Sequence, residues 1–190
     1  VSGPRYAYES AQESVLLPYY KRFVWGPLLE LIPDAVAPNA LTLISTLACG
    51  LSFVLAATLS HSTVAMLAAA VLVFTYVSLD NMDGAHARRA GRSSRLGEFL
   101  DHWLDTLNNG FVVLGACFAA GLPASFTLGV LAVGTLAFFA VQWELRRTGV
   151  FRMGRVADVE GNTAVCGLYL LIAFAGPEIF ALRPVAGLPP

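Results

Sequence analysis

The sequence predicts an all-α, polytopic transmembrane helical bundle preceded by an amphipathic helix lying in the membrane interface. Three observations predict it. Of 190 residues, 56% are hydrophobic and only 13% are charged, about half the ~25% charge of an ordinary soluble domain. Five apolar segments each approach the ~20 residues needed to cross a hydrocarbon core. The basic residues are confined to alternate connections, as positive-inside topology requires. The net charge of −1 gives no reason to expect a nucleic-acid partner. Cys49, Cys117 and Cys166 lie in apolar runs with no CxxC or Cys/His pairing, so they are expected as small buried hydrophobes rather than a disulfide or zinc framework.

In chain order, residues 1–14 are polar. Ser14 to Pro33, SVLLPYYKRFVWGPLLELIP, mixes aromatic and aliphatic residues with Lys21 and Arg22. Pro18 and Pro27 argue against one long helix. The segment is expected to lie in the interface with Tyr19, Tyr20 and Trp25 at headgroup level. Residues 1–36 thus form a tail and interfacial helix, and residues 37–190 a transmembrane domain. Its spans are expected at about Leu41–Leu59, Val64–Ala87, Leu96–Ala120, Ala124–Trp143 and Thr163–Leu182.

Lys21 and Arg22 precede the first span. Arg88, Arg89, Arg92 and Arg95 join the second and third, and Arg146, Arg147, Arg152 and Arg155 join the fourth and fifth. The connections SHST and AGLPA carry no Lys or Arg. The basic regions are therefore expected on the cytoplasmic side and the tail RPVAGLPP on the other.

The chemistry concentrates between Leu79 and Asn109. Asp80, Asp83, Gly84, Ala87 and Arg88 fall at i, i+3, i+4, i+7 and i+8, one face of the second span. Gly97, Asp101 and Asp105 fall at i, i+4 and i+8 on the third. Two antiparallel helices thereby present four carboxylates at similar depth. Such groups repel unless cations neutralise them, and hard oxygen ligands suit magnesium, manganese or calcium rather than zinc. Gly84, Ala87 and Gly97 leave room for a ligand near the backbone, and Arg88 supplies a fork for phosphate oxygens. Ion pairs with the loop arginines are a poorer account, because Asp80 and Asp105 have no basic partner within sequence reach. These parts describe a two-metal phosphoryl-transfer site.

The string from Asp80 to Asp105 reads D-x2-D-G-x2-A-R-x8-G-x3-D-x3-D and resembles the signature of the CDP-alcohol phosphotransferases. The resemblance implies a membrane enzyme that cleaves the pyrophosphate of a CDP-linked donor and releases CMP. It implies that Asp80, Asp83, Asp101 and Asp105 hold two Mg2+ or Mn2+ ions. Gly84, Ala87, Arg88 and Gly97 would shape the cytidine diphosphate pocket. APNALTLIS (Ala37 to Ser45), GEFLDHWLDTLN (Gly97 to Asn108), DVEGN (Asp158 to Asn162) and FAGPEIF (Phe174 to Phe180) resemble the choline/ethanolamine phosphotransferase branch, with Trp103 and Leu104 where that branch has Gly-Cys. That branch has about ten spans and the family core six. With five, this chain is expected either to lack a C-terminal part or to be atypically short. The family's habit implies a homodimer.

By the same resemblance, His102 is the expected general base toward a diacylglycerol hydroxyl, oriented by Glu98 one turn earlier. Asp105 is the competing base, and a merely structural His102 bonded to Glu98 is the plainer account. Asn39 and Thr42 are expected to bond the nucleotide or its phosphates, unless Asn39 caps its helix. Glu144, Arg146 and Arg147 meet either donor phosphates or lipid headgroups. Asp158 and Glu160 either reach a cationic head group or are solvated, and solvation is the simpler expectation.

The expected function is transfer of phosphocholine or phosphoethanolamine from CDP-choline or CDP-ethanolamine to diacylglycerol. The site would face the cytosol in an endoplasmic reticulum, Golgi or bacterial plasma membrane. One alternative is phosphatidyl transfer from CDP-diacylglycerol to a soluble polyol or its phosphate. A more distant one is a divalent-cation transporter.

Overall fold

The computed structural model describes residues 9–12 and 14–180. The tail RPVAGLPP and the expected end of the last span at Leu182 lie outside the described residues. The N-terminal part comprises strand β1 (Glu9–Gln12), helix α1 (Leu17–Tyr20), a π-helical turn (Lys21–Trp25) and helix α2 (Gly26–Leu31). The bundle follows as α3 (Pro38–Thr58), α4 (Thr63–Arg89), α5 (Arg95–Ala119) and α6 (Ala124–Thr148). After strand β2 (Val150–Met153) come α7 (Asp158–Ala175) and a 3₁₀ turn (Pro177–Phe180). β1 and β2 pair in parallel with Glu9 opposite Val150.

Among the described residues four helices, α3, α4, α6 and α7, are long and apolar enough to cross a membrane. At 25 residues α5 is as long as α6, but its first three turns carry Arg95, Glu98, Asp101 and Asp105. The protein is an integral membrane protein built as a helical bundle. The last span starts at Asp158 and stops at Ala175, earlier at both ends than its hydropathy suggests. It stops because Gly176 takes φ +79°, a left-handed conformation, and Pro177 then has no N–H to continue the ladder.

α3 packs on α4 and α5, and α4 on α7, while α6 leans on α5. Close helix contact inside a bilayer relies on small residues, because burial in lipid supplies little hydrophobic drive. α3 meets that need with buried Ser45, Cys49, Ser52 and Ala56 along one face, and Ser52 donates a 2.9 Å hydrogen bond to the Ala69 carbonyl of α4. Met66, Ala69, Val73, Tyr169 and Ile172 complete a core between α4 and α7. Cys49 and Cys117 are buried and all three cysteines are free, as the sequence suggests. α6 is different: of its side chains only Thr127 is buried.

The N-terminal segment departs from expectation in two ways. Pro27 does not break the helix. The ladder widens instead, with the Gly26 N–H reaching the Lys21 carbonyl, and helical structure continues to Leu31. Trp25 does not sit among headgroups. It is 3% exposed and donates its indole N–H to Ser78 Oγ at 3.1 Å. Tyr20 also turns inward, its hydroxyl 3.0 Å from Thr163 Oγ1. Tyr19, Phe23 and Leu31 remain exposed, so the segment is amphipathic with its aromatic anchors divided between two faces. Arg89 fixes the following loop through Asp34 (3.0 Å) and the carbonyls of Leu29 and Ile32. His86, fully buried, bonds the Val36 carbonyl at 2.9 Å.

At Gly115 of α5, an added Cβ would stand 2.5 Å from the Tyr169 hydroxyl and 3.5 Å from the Phe53 Cα. Tyr169 is 1% exposed and has no free direction to move. Gly115→Ala is expected to destabilise the fold by about 1–3 kcal/mol, seen as a lower midpoint in thermal unfolding of the detergent-solubilised protein.

Candidate functional site

α4 and α5 both pack on α3, and the last turns of α4 and the first turns of α5 turn their acidic side chains toward one another. The 3.6-residue repeat puts Asp80 and Asp83 on the inner face of α4, and Asp101 and Asp105 on that of α5. Oxygen atoms of Asp80, Asp101 and Asp105 all lie within 4.8 Å of one another. Asp80 and Asp105 are within hydrogen-bonding reach of each other, and Asp80 Oδ1 is buried without a partner among the described residues. Asp83 is held apart from this trio. It is 6% exposed, and its Oδ2 accepts a 2.5 Å hydrogen bond from Thr42 Oγ1.

Thr42 therefore orients an aspartate. Asn39 does not cap α3, whose N-cap is Ala37 with Pro38 as its first residue. Its Oδ1 instead lies 3.0 Å from where a Cβ on Gly97 would stand, so Gly97 lets α3 and α5 approach. Arg88 folds back over Gly84, its guanidinium 3.5 Å from the corresponding point there. Ser94 caps α5 by accepting from the Gly97 N–H at 3.0 Å.

A cavity of about 700 Å³ opens beside the aspartates, between α4, α5, α6 and α7. Asp80, Asp101, His102, Asp105 and Asp158 line one end. Toward the C-terminal half of α5 and the N-terminal half of α6 the lining turns apolar, with Val112, Val113, Ala116 and Val130. His102 thus reaches the cavity. Glu98 is exposed, and among the described residues no hydrogen bond joins it to His102. The orienting role expected for Glu98 has no contact behind it. Arg146, exposed at the end of α6, is not among the cavity residues.

The expectation of solvation fails for both acids of α7. Asp158 lines the cavity. Glu160 binds the N-terminal segment, accepting from Ser14 Oγ (2.6 Å), Leu16 N–H (2.9 Å) and Ala157 N–H (2.9 Å). The cavity also has polar groups that sequence reasoning passed over: Asn81, Asn109, Gln142 and Asn162. Asn81 and Asn162 carried a usable signal, the one beside Asp80 within the motif and the other closing the DVEGN run.

A family model described as CDP-alcohol phosphatidyltransferase matches residues 35–185. The chain belongs to that family. Cholinephosphotransferase 1 of Gallus gallus is 35% identical over 184 residues, 93% of this chain and 55% of that protein. The protein of the same name from Danio rerio is 35% identical over 191 residues, 95% of this chain and 49% of its own length. That from Homo sapiens is 32% identical over 181 residues, 91% and 44%. The chain spans about half the length of the curated relatives it matches.

The donor set fits a hard divalent cation. It is all oxygen, it is crowded, and it includes an orphaned buried atom. Asp105→Asn is expected to weaken Mn2+ binding at least tenfold, while Thr42→Val, which only frees Asp83, weakens it a few-fold. Titration of the purified protein with Mn2+, followed by electron paramagnetic resonance, checks both.

Proposed function

We propose that this chain carries the transfer site of an enzyme of phospholipid synthesis. The enzyme moves a phosphoalcohol from a CDP-alcohol to diacylglycerol and releases CMP. The carrying observation is the cavity, which joins an acidic, metal-competent end to an apolar interior. A water-soluble nucleotide donor suits the first, and an acyl-bearing acceptor suits the second. The relatives' printed names favour a head-group donor over a CDP-diacylglycerol donor. The apolar interior argues against a hydrated ion path through the bundle.

Asp80, Asp101 and Asp105, with Asp83, would hold two Mg2+ or Mn2+ ions. When bound, these ions neutralise the donor's phosphate oxygens. Arg88, lying over Gly84, offers its guanidinium to the phosphate that leaves with CMP. Gly84 and Gly97 keep the backbone of both helices open to the nucleotide. His102, on the cavity wall, takes the proton from the acceptor hydroxyl. That oxygen forms the new bond to the distal phosphorus of the donor, and the bond from this phosphorus to the bridging oxygen breaks. CMP departs with the bridging oxygen. Without Glu98 as a relay, His102 works alone or Asp105 takes its place. The basic connections favour a site at the cytosolic face.

The test is the full protein in lipid nanodiscs with Mg2+ or Mn2+. Labelled CDP-ethanolamine or CDP-choline plus diacylglycerol is expected to yield phospholipid and CMP. Product from CDP-diacylglycerol and a soluble polyol instead would reverse the lipid assignment. His102→Ala is expected to lower kcat about 10²–10⁴-fold, with CMP affinity within about twofold of the unmutated protein. Unchanged turnover would move the base to Asp105.

A further inference from the structure

Asp158 opens α7 on the cavity wall opposite the aspartate trio. Asn162 donates its Nδ2 to Asp158 Oδ1 at 2.6 Å and to the Asp158 carbonyl at 3.0 Å. The Asn81 side chain, whose Nδ2 donates to the Val77 carbonyl at 2.9 Å, stands within hydrogen-bonding reach of the same carboxylate. Both donors are neutral amides. Among the described residues no Lys, Arg or His forms an ion pair with Asp158, and its charged neighbours, Asp80, Asp105 and Glu160, are all acidic. Asn162 is 4% exposed. It lines the same cavity, and its Oδ1 has no partner among the described residues.

A polar knot tying α4 to α7 would explain the two amide donors. It would leave a negative charge unbalanced inside a bundle, where an uncompensated charge is costly. It would also leave an amide oxygen unbonded. The count of carboxylates points elsewhere. Asp80, Asp83, Asp101 and Asp105 make up the donor set for the divalent ions. Asp158 is a fifth carboxylate outside that set, on the wall of the same cavity.

We propose that Asp158 and Asn162 seat the cationic head group of the donor, and that the seat is built for an ammonium bearing N–H bonds. This rests on the transfer reading given above and names its donor class. A primary ammonium can donate its protons to Asp158, whose carboxylate the Asn162 amide holds in place. A quaternary ammonium has none to share and is held by aromatic faces instead. Tyr76 and Phe138 are the only Phe, Tyr or Trp among the described residues lining the cavity, too few to build a cage.

Equilibrium binding to the full protein with Mg2+ tests this, using CMP, CDP-ethanolamine, CDP-choline and CDP-glycerol, whose head is uncharged. In the unmutated protein CDP-ethanolamine is expected to bind at least tenfold more tightly than CDP-glycerol, and more tightly than CDP-choline. Asp158→Asn is expected to erase most of that advantage while CMP affinity stays within about twofold. Asn162→Leu should reduce it in part. Equal affinity for CDP-ethanolamine and CDP-glycerol in the unmutated protein would overturn the proposal, whether or not the variants fold. CDP-choline binding as tightly as CDP-ethanolamine would overturn the preference for N–H bonds. Failure of CMP itself to bind would strike the underlying transfer reading instead.

Discussion

Carboxylates that repel one another are held in contact inside an apolar bundle, and the architecture around them exists to keep them there. Oxygen atoms of Asp80, Asp101 and Asp105 come within 4.8 Å, a spacing that like charges in a poorly screened environment resist. The resistance is met from behind. The small-residue face of α3 lets α4 and α5 close against it, Gly97 admits Asn39, and Thr42 turns Asp83 to its own station. Lower in the bundle, Gly115 lets α5 approach Tyr169 of α7. Each contact is weak, and together they fix the separation of two helices whose acidic faces would drift apart if released.

Much of this was legible in the sequence because helical periodicity is local. Once residues 79–109 are helical on either side of a turn, spacings of three and four place the aspartates on one face of each helix whatever else the protein does. The apolar lengths located the bundle helices for the same reason, and only the last was displaced, by the turn at Gly176 and Pro177. Contacts between distant segments were not legible. Nothing near Glu160 announces that it binds Ser14, almost the whole chain away. Nothing near Trp25 announces Ser78. Glu98 and His102 show the converse limit: side chains four residues apart share a face, yet no bond forms between them. Arg146 shows a third limit: being basic at a helix end does not say which way the end points, and its side chain stands exposed outside the cavity lining.

The cavity sets two kinds of solvent side by side. At its acidic end oxygen atoms crowd together. A few turns along α5 the lining is valine and alanine. On the proposed reading this gradient does the sorting. A nucleotide finds counter-ions at one end only, and an acyl chain finds shelter at the other only, so the hydroxyl and the phosphorus meet where the two regions join. Catalytic geometry then follows from solubility before any specific contact is made.

The binding of the N-terminal segment has a mechanical consequence. Gln12 is paired with Met153 just beyond α6, and Ser14, two residues on, is bonded to Glu160 in α7. Two peptide units reach no further than about 7 Å. The ends of two cavity walls are thus laced together by main chain, and α6, with little buried surface of its own, borrows its footing from this stitch. Widening of the rim between those walls therefore works against a strand pair and a carboxylate, so its aperture depends on chain length as well as on side-chain fit.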